Sequence, residues 1–369
     1  MIRREAPGKL FLAGEYAVLQ PGHPAVVVAV NRCVTVTVTE ASSAETTFTS
    51  DFGGGTQLRC LRREGILMPE SGHTPDNFRY VLSATNIVER LVAEAGGQPT
   101  PFAATTSGAD LTDGAGHKLG LGSSAAITVA TVSALADLYR LRLGRSERYR
   151  LAMLATVGVD PRASGGDVAA ATWGGWVAYR SPDRARIAEL ATTGTVAETV
   201  RADWPGLSVR PLPTPHRLSL LVGWTGKPAS TSALTWRTGP GHASIRAHPR
   251  FLAETTACVE RIVRALDADD VTRVQYEIRR ARRLLDDLDD MADLGIRTPE
   301  LDTLCAAADL AGAAAKPSGA GGGDCGIAVI DRTRPAQASA IIDRWSAAGI
   351  THIPLRVYRH PDSSEDHPF

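Results

Sequence analysis

The segment that most constrains this chain is Lys118-Leu119-Gly120-Leu121-Gly122-Ser123-Ser124-Ala125-Ala126, which runs into an alanine-rich stretch ending near Tyr139. Alanine is the strongest helix former, so this stretch reads as a helix beginning at about Ser123. Gly120 and Gly122 let the backbone approach an anion closely. The helix that follows turns its unpaired N–H groups and positive dipole end toward the same place. Ser123 doubles as an ordinary N-cap residue, and a hydroxyl at Ser124 can reach a metal ion carried by a phosphate. Two common phosphate signatures fail on detail. No lysine follows the last glycine, so GxxxxGK[ST] is absent. Gly120–Ala125 satisfies GxGxxA, but Asp113–Lys118 before it reads as loop, and Asp137 falls inside a helix where a dinucleotide site needs an acidic strand end.

Two further segments carry the same chemistry. Lys316-Pro317-Ser318-Gly319-Ala320-Gly321-Gly322-Gly323-Asp324-Cys325 is dense enough in glycine to require close backbone approach or a very tight turn. Ala6-Pro7-Gly8-Lys9-Leu10-Phe11-Leu12-Ala13-Gly14-Glu15-Tyr16 places a lysine just before an apolar strand. Lysine is scarce here: Lys9, Lys118, Lys227 and Lys316 are the only lysines among 40 basic residues, and each has Gly, Ser or Pro within two residues. A compact ammonium suits a phosphate in a narrow backbone cradle better than a planar guanidinium, so all four are candidate phosphate cations. Any such site is local, because 40 acidic residues balance the 40 basic ones, which argues against a nucleic-acid partner.

The 369 residues, 43% of them hydrophobic, suffice for two domains. Alternation through Cys33–Thr39 predicts a strand with valines inward, preceded by a buried strand at Ala25–Val30. A hairpin is expected at Gly53–Gly55, leading to Gln57–Leu61. Helical spacing starts at Asn77, and further helices are expected at Leu151–Val157, Pro249–Leu266, Asp270–Met291 and Pro335–Ala348. Strands are expected at Trp173–Tyr179, Arg217–Val222, Gly326–Ile330 and His352–Tyr358. Asp203–Pro215 holds four prolines and reads as a linker between a first domain, residues 1–200, and a second, residues 216–369. Strands and helices mix without a regular βα repeat, so the class is α+β. The longest apolar run is far short of the ~20 residues a bilayer needs. The N-terminus meets Pro7 and Gly8 before any apolar stretch, unlike a secretory leader, and the five cysteines lack disulfide or zinc spacing. A cytoplasmic protein is expected.

Taken in chain order, the Lys9, Lys118–Ala126 and Lys316–Cys325 segments resemble the three motifs of the GHMP kinases, over nearly the whole chain. The resemblance implies an N-terminal domain like domain 2 of ribosomal protein S5, a ferredoxin-like C-terminal domain, and ATP and a small-molecule acceptor between them. It places Lys118, Gly120, Leu121, Gly122, Ser123, Ser124 and Ala125 at the ATP phosphates, with Ser124 as Mg²⁺ ligand. It makes Lys9 and Asp167 the catalytic pair. Ser164-Gly165-Gly166-Asp167-Val168-Ala169-Ala170, Gly223–Ser232 and the Gly-Gly-Gly-Asp ending are most similar to the phosphomevalonate kinases, whose acceptor is mevalonate 5-phosphate. On that pattern Tyr16, Ser164, Gly165, Lys227, Ser230, Ser232, Arg282, Ser318 and Gly319 bind the acceptor. The mevalonate kinases are the alternative within the family, and a homodimer is the assembly to test. A non-catalytic sensor of the same fold is disfavoured by the intact Lys9, Ser124 and Asp167. Asp286-Asp287-Leu288-Asp289-Asp290 fits the DDxxD of prenyl synthases. Arg282 and Arg283 lie four residues earlier, however, so a solvated charged face is the plainer reading.

Overall fold

The computed structural model describes residues 1–41, 44–51, 55–113, 115–227 and 248–360. Ala25–Val30 and Cys33–Thr39 form one strand, β2 (Pro24–Glu40), whose first half is buried on both faces and whose second half alternates. β1 (Ile2–Ala13) runs antiparallel along one edge of β2, while the other edge is shared by β6 (Phe102–Ser107) and β7 (Trp176–Arg180). β3 (Thr46–Ser50), β4 (Thr56–Arg63) and β5 (Ile66–Pro69) continue the sheet beyond β6. Gly53 and Gly54 of the expected hairpin lie outside the described residues.

Four helices cover this sheet: α1 (Arg79–Glu94), α2 (Ser123–Leu138), α3 (Arg145–Val159) and α4 (Gly166–Trp173). Of the twelve residues of α2 from Ala125 to Ala136, all but Ser133 are buried, so this helix is surrounded by core rather than amphipathic. α5 (Arg184–Thr193) and α6 (Val196–Arg201) follow β7.

The proline-rich stretch is not simply a linker. Ser208–Leu212 forms β8, which pairs with β7 and brings Pro211 opposite Val177. Proline is tolerated there because β8 is the sheet's edge, where one row of donors has no strand to bond.

The second sheet, ordered β10-β11-β9-β12, comprises β9 (Leu218–Trp224), β10 (Ala314–Pro317), β11 (Cys325–Asp331) and β12 (Thr351–Ile353). Its helices are α7 (Pro249–Asp267), α8 (Val271–Ala292), α9 (Pro299–Leu310) and α10 (Pro335–Ala347). Phe251, Ile262, Ile278 and Leu285 of α7 and α8 join the same core as Ala13, Ala25 and Val27 of the first sheet and Ile327 and Val329 of the second. A smaller core under α9 and α10 centres on Leu304 and Trp345, whose indole N–H donates to the Leu304 carbonyl at 3.0 Å.

The last strand is shorter than its sequence suggests. After Ile353 the chain leaves the second sheet and returns to the first, where Tyr358 donates to the Ala29 carbonyl at 2.9 Å and accepts from Gly175 at 2.7 Å. Among the described residues no helix is long and apolar enough to cross a membrane.

Candidate active site

Two helices begin side by side over β1, and both start from a left-handed glycine. Gly122 (φ 79°) precedes α2 and Gly165 (φ 82°) precedes α4. A methyl group at Gly122 would stand 3.0 Å from Lys9 Cε, and one at Gly165 only 2.5 Å from Met153 Sδ and 2.7 Å from the Tyr179 hydroxyl. Neither glycine offers a side-chain cap, so the N–H groups of Ser123, Ser124 and Ala125 in the first turn of α2 are left for a ligand or water.

Lys9 sits at the centre. Its backbone N–H donates to the Leu121 carbonyl at 2.7 Å, and its ammonium donates to the Gly120 carbonyl at 3.2 Å and lies 5.5 Å from the Phe11 ring centre. β1 and the glycine loop are thereby fixed together around one charge. Asp167 occupies the first turn of α4. Burial pushes its carboxyl above the usual range, the Lys9 charge and the N–H groups of Val168 and of Asp167 itself pull it back, and Asp160 raises it again.

Two residues that sequence reasoning missed complete this centre. The half-buried Tyr80 lies close to the side chain of Ser124. Its hydroxyl is pushed up to about 12 by burial first and then by the charges of Asp167 and Asp160. A tyrosine in the first turn of α1 and an aspartate ending α3 carry no local signal, since only the packing of three helices brings them to Ser124 and Asp167.

The turn before α4 is braced from below. Tyr179 donates to the Ser164 carbonyl at 2.6 Å, and its oxygen lies 2.8 Å from the Tyr149 hydroxyl. Because the Tyr179 proton is already used, Tyr149 is the donor in that pair. The Ser164 hydroxyl accepts from Gly166 at 3.4 Å, leaving its own proton directed elsewhere.

The third glycine-rich segment closes over the first two as the β10–β11 loop. A methyl group at Gly120 would overlap the Asp324 carboxylate at 2.5 Å, and Cys325 Sγ donates to the Leu119 carbonyl at 3.1 Å. A methyl group at Gly319 would lie 3.9 Å from the Lys9 ammonium. Tyr16 donates to the Ala320 carbonyl at 2.5 Å, and the Ser318 hydroxyl exchanges hydrogen bonds of 3.0 Å with the Phe11 N–H and carbonyl. Both side chains thus hold this loop to β1.

Lys118 is exposed at the mouth of its loop. Lys227 reaches Glu300 at 2.5 Å, and Ser230 and Ser232 lie outside the described residues. The Arg282 guanidinium is spent on Asp309 at 2.7 Å and the Ala315 carbonyl at 3.3 Å, and no described contact joins it to Lys9 or Asp167. Lys316 corrects the expectation that all four lysines face a phosphate. It is fully buried in β10 and ion-paired with Glu15. Removing one partner of such a pair costs about 3–5 kcal/mol. The aspartate cluster of α8 is likewise structural: Asp289 accepts from the N–H groups of Ile296 and Arg297, both at 3.0 Å, and Asp290 pairs with Arg297 at 2.9 Å.

A helix start without a side-chain cap, a lysine at its mouth and a half-buried acid beside that lysine define a phosphotransferase centre. The chain belongs to the GHMP kinases. Residues 80–175 match the GHMP kinases N terminal domain and residues 262–351 the GHMP kinases C terminal domain. The two sheets are accordingly the S5-like and ferredoxin-like halves of that α+β fold. The chain is 48% identical to the phosphomevalonate kinase of Streptomyces sp. (strain CL190), over 96% of both chains. It is 28% identical to the mevalonate kinase of Thermococcus gammatolerans over 94% of this chain and 95% of that one. Among solved structures, Streptococcus pneumoniae phosphomevalonate kinase in complex with phosphomevalonate and AMPPNP superposes with a TM-score of 0.84 at 26% identity, covering 97% and 100% of the two chains.

Proposed function

We infer that this chain transfers the γ-phosphoryl group of ATP to mevalonate 5-phosphate, giving mevalonate 5-diphosphate and ADP. The observation that carries the chemistry is the Lys9 ammonium, set between the α2 glycine loop and Asp167. The acceptor's identity is supported by the 48% identical relative.

The acceptor's second pKa of about 6 makes it mainly a dianion at neutral pH. An acceptor oxygen bonds to the γ-phosphorus while the bond to the β–γ bridging oxygen breaks, and no proton need be removed. The obstacle is repulsion, roughly 4 kcal/mol per pair of unit charges at ~4 Å and an effective dielectric of ~20. Lys9 and the first-turn amides of α2 offset it. Asp167 acts chiefly by holding the Lys9 ammonium in place, and general-base work is secondary. Mg²⁺ is proposed as the metal: the half-buried Ser124 hydroxyl, beside Tyr80 at the anion loop, is the hard oxygen donor that a phosphate-borne Mg²⁺ takes. When bound, the ion supplies further neutralisation of phosphate charge.

We further propose that residues 1–200 carry the ATP loop with Lys9 and Asp167, that residues 216–369 supply the third loop, and that Ser164, Lys227, Ser230 and Ser232 face the acceptor. A cytoplasmic location and a homodimer are part of the same proposal. The test is ADP release measured against mevalonate 5-phosphate, mevalonate, galactose and homoserine. The highest kcat/KM is expected on mevalonate 5-phosphate, and a higher value on unphosphorylated mevalonate would overturn the assignment of the acceptor.

A further inference from the structure

The turn between β1 and β2 is strained, and it holds a buried charge that phosphoryl transfer does not use. Tyr16 adopts φ 62°, ψ −51°, a region that bulky residues rarely occupy, although its side chain is buried. Gly14 before it has φ 97° and no room for a side chain, with the Pro24 carbonyl and Ala25 Cα both 2.5 Å from where a Cβ would be. Such a conformation persists only where surrounding contacts over-determine it.

Those contacts all lead to one segment. Glu15 pairs with Lys316 and accepts from the Gly319 N–H at 3.4 Å, while Lys316 also donates to the Pro317 carbonyl at 2.6 Å. Tyr16 takes the Ala320 carbonyl, and Ser318 takes both backbone groups of Phe11. Residues 316, 318, 319 and 320 are therefore each tied to residues 11–16. Beyond Lys316, Glu15 borders a cavity of about 10 Å³ lined by Phe251, Thr255, Cys258, Val259 and Leu285, where the Thr255 hydroxyl is the other polar group. That is at the limit of what one water needs, so bulk solvent cannot replace either partner of the pair.

We propose that Glu15, Tyr16 and Lys316 form a latch that sets the height of the third glycine loop above Lys9. The inference rests on the phosphoryl-transfer reading for its effect on rate, but the latch itself is a property of the loop. All three are positioning residues. Glu15 and Lys316 align the Gly319 amide, and Tyr16 draws the Ala320 carbonyl down, so that Gly319 stays against the Lys9 ammonium.

The experiment compares Lys316→Met, the neutral pair Glu15→Gln with Lys316→Met, and Tyr16→Phe. Thermal stability, kcat, KM for ATP and amide exchange of residues 318–324 are read in the full chain. Lys316→Met alone should lower Tm and kcat together, because it strands the Glu15 charge. The neutral pair should regain most of the lost Tm, yet keep kcat about tenfold below wild type with KM for ATP within twofold, and show faster exchange in the loop. A purely structural ion pair predicts the opposite: once no charge is stranded, kcat returns to within twofold of wild type and loop exchange is unchanged. That result would overturn the latch. Tyr16→Phe, which keeps the ring, makes the same test should the neutral pair not fold, with kcat expected to fall about fivefold and loop exchange to rise. Unaltered kcat and exchange in that variant would also sink the proposal. Wild type inactive on mevalonate 5-phosphate would instead defeat the functional reading, and the exchange measurements would still decide the latch.

Discussion

The starts of α2 and α4 are built alike and do opposite electrostatic work. Each begins from a left-handed glycine without a side-chain cap, so each presents free N–H groups and a positive dipole end. At α2 the first turn holds Ser123 and Ser124, and its donors remain open to an incoming anion. At α4 the anion is built in: Asp167 takes the Val168 N–H at 2.9 Å, and the helix start helps a half-buried carboxylate stay charged. Lys9 stands between them, with its ammonium on the Gly120 carbonyl and its charge felt by Asp167. One backbone device thus serves a ligand's charge in one helix and the protein's own in the other.

The largest test of this contrast is Lys9→Met, which removes the cation both starts share. Loss of one transition-state charge contact of about 3–4 kcal/mol should lower kcat by roughly 10²–10³. ATP binding, measured by direct titration, should persist because the α2 amides are untouched. A mild Lys9→Met beside an Asp167→Asn variant dead at every pH would reverse the assigned roles.

Asp167→Asn comes next. It should keep measurable turnover, roughly tenfold or more below wild type, falling below pH ~6 as the acceptor phosphate takes up its second proton. Its stability should move the other way. The folded-state pKa of Asp167 is raised, so the folded protein holds that proton more tightly than the unfolded chain. The associated stability is fully present below the unfolded value of about 3.9 and is lost as pH rises through the folded value. Asn carries no such loss, so Tm should exceed wild type at pH 7 and the difference should vanish as pH is lowered toward ~4. A variant no more stable than wild type at pH 7 would mean that Lys9 and the α4 amides fully compensate burial.

At the other helix, Ser124→Ala removes the hydroxyl beside Tyr80 and should raise the Mg²⁺ concentration needed for half-maximal rate by up to about tenfold. Unchanged Mg²⁺ dependence would reduce Ser124 to a helix-start residue. The smallest effect is expected from Tyr179→Phe, which strands the Ser164 carbonyl and the Tyr149 proton under α4. About 1–3 kcal/mol of stability should go, with a severalfold rise in KM for the acceptor and little change for ATP. An equal rise in both KM values would show that the brace does not act through Ser164.

Much of this centre is legible along the chain because its parts are local. Helix α2 starts at Ser123 as the glycine-to-alanine transition predicts, and the three glycine-rich segments converge on Lys9. Where reading failed, the deciding partner was distant. Pro and Ser beside Lys316 suggested a phosphate loop, but its counter-charge, Glu15, lies 301 residues earlier. Nor does the sequence show that Arg282 pairs with Asp309, 27 residues later. Prolines at 205–215 suggested a linker, and an edge position made Ser208–Leu212 a strand instead.

By itself the sequence determined which backbone segments can admit an anion, because glycine's tolerance of φ near +80° and alanine's helix preference are properties of single residues. It also determined the family, through the order of those segments. Only the tertiary structure decided which charges work and which are spent. Lys9 and Lys316 look alike in sequence. One lies half-buried at the mouth of two helices and the other is fully buried against a carboxylate. What separates them is desolvation, and desolvation depends on everything packed around a charge rather than on its neighbours along the chain.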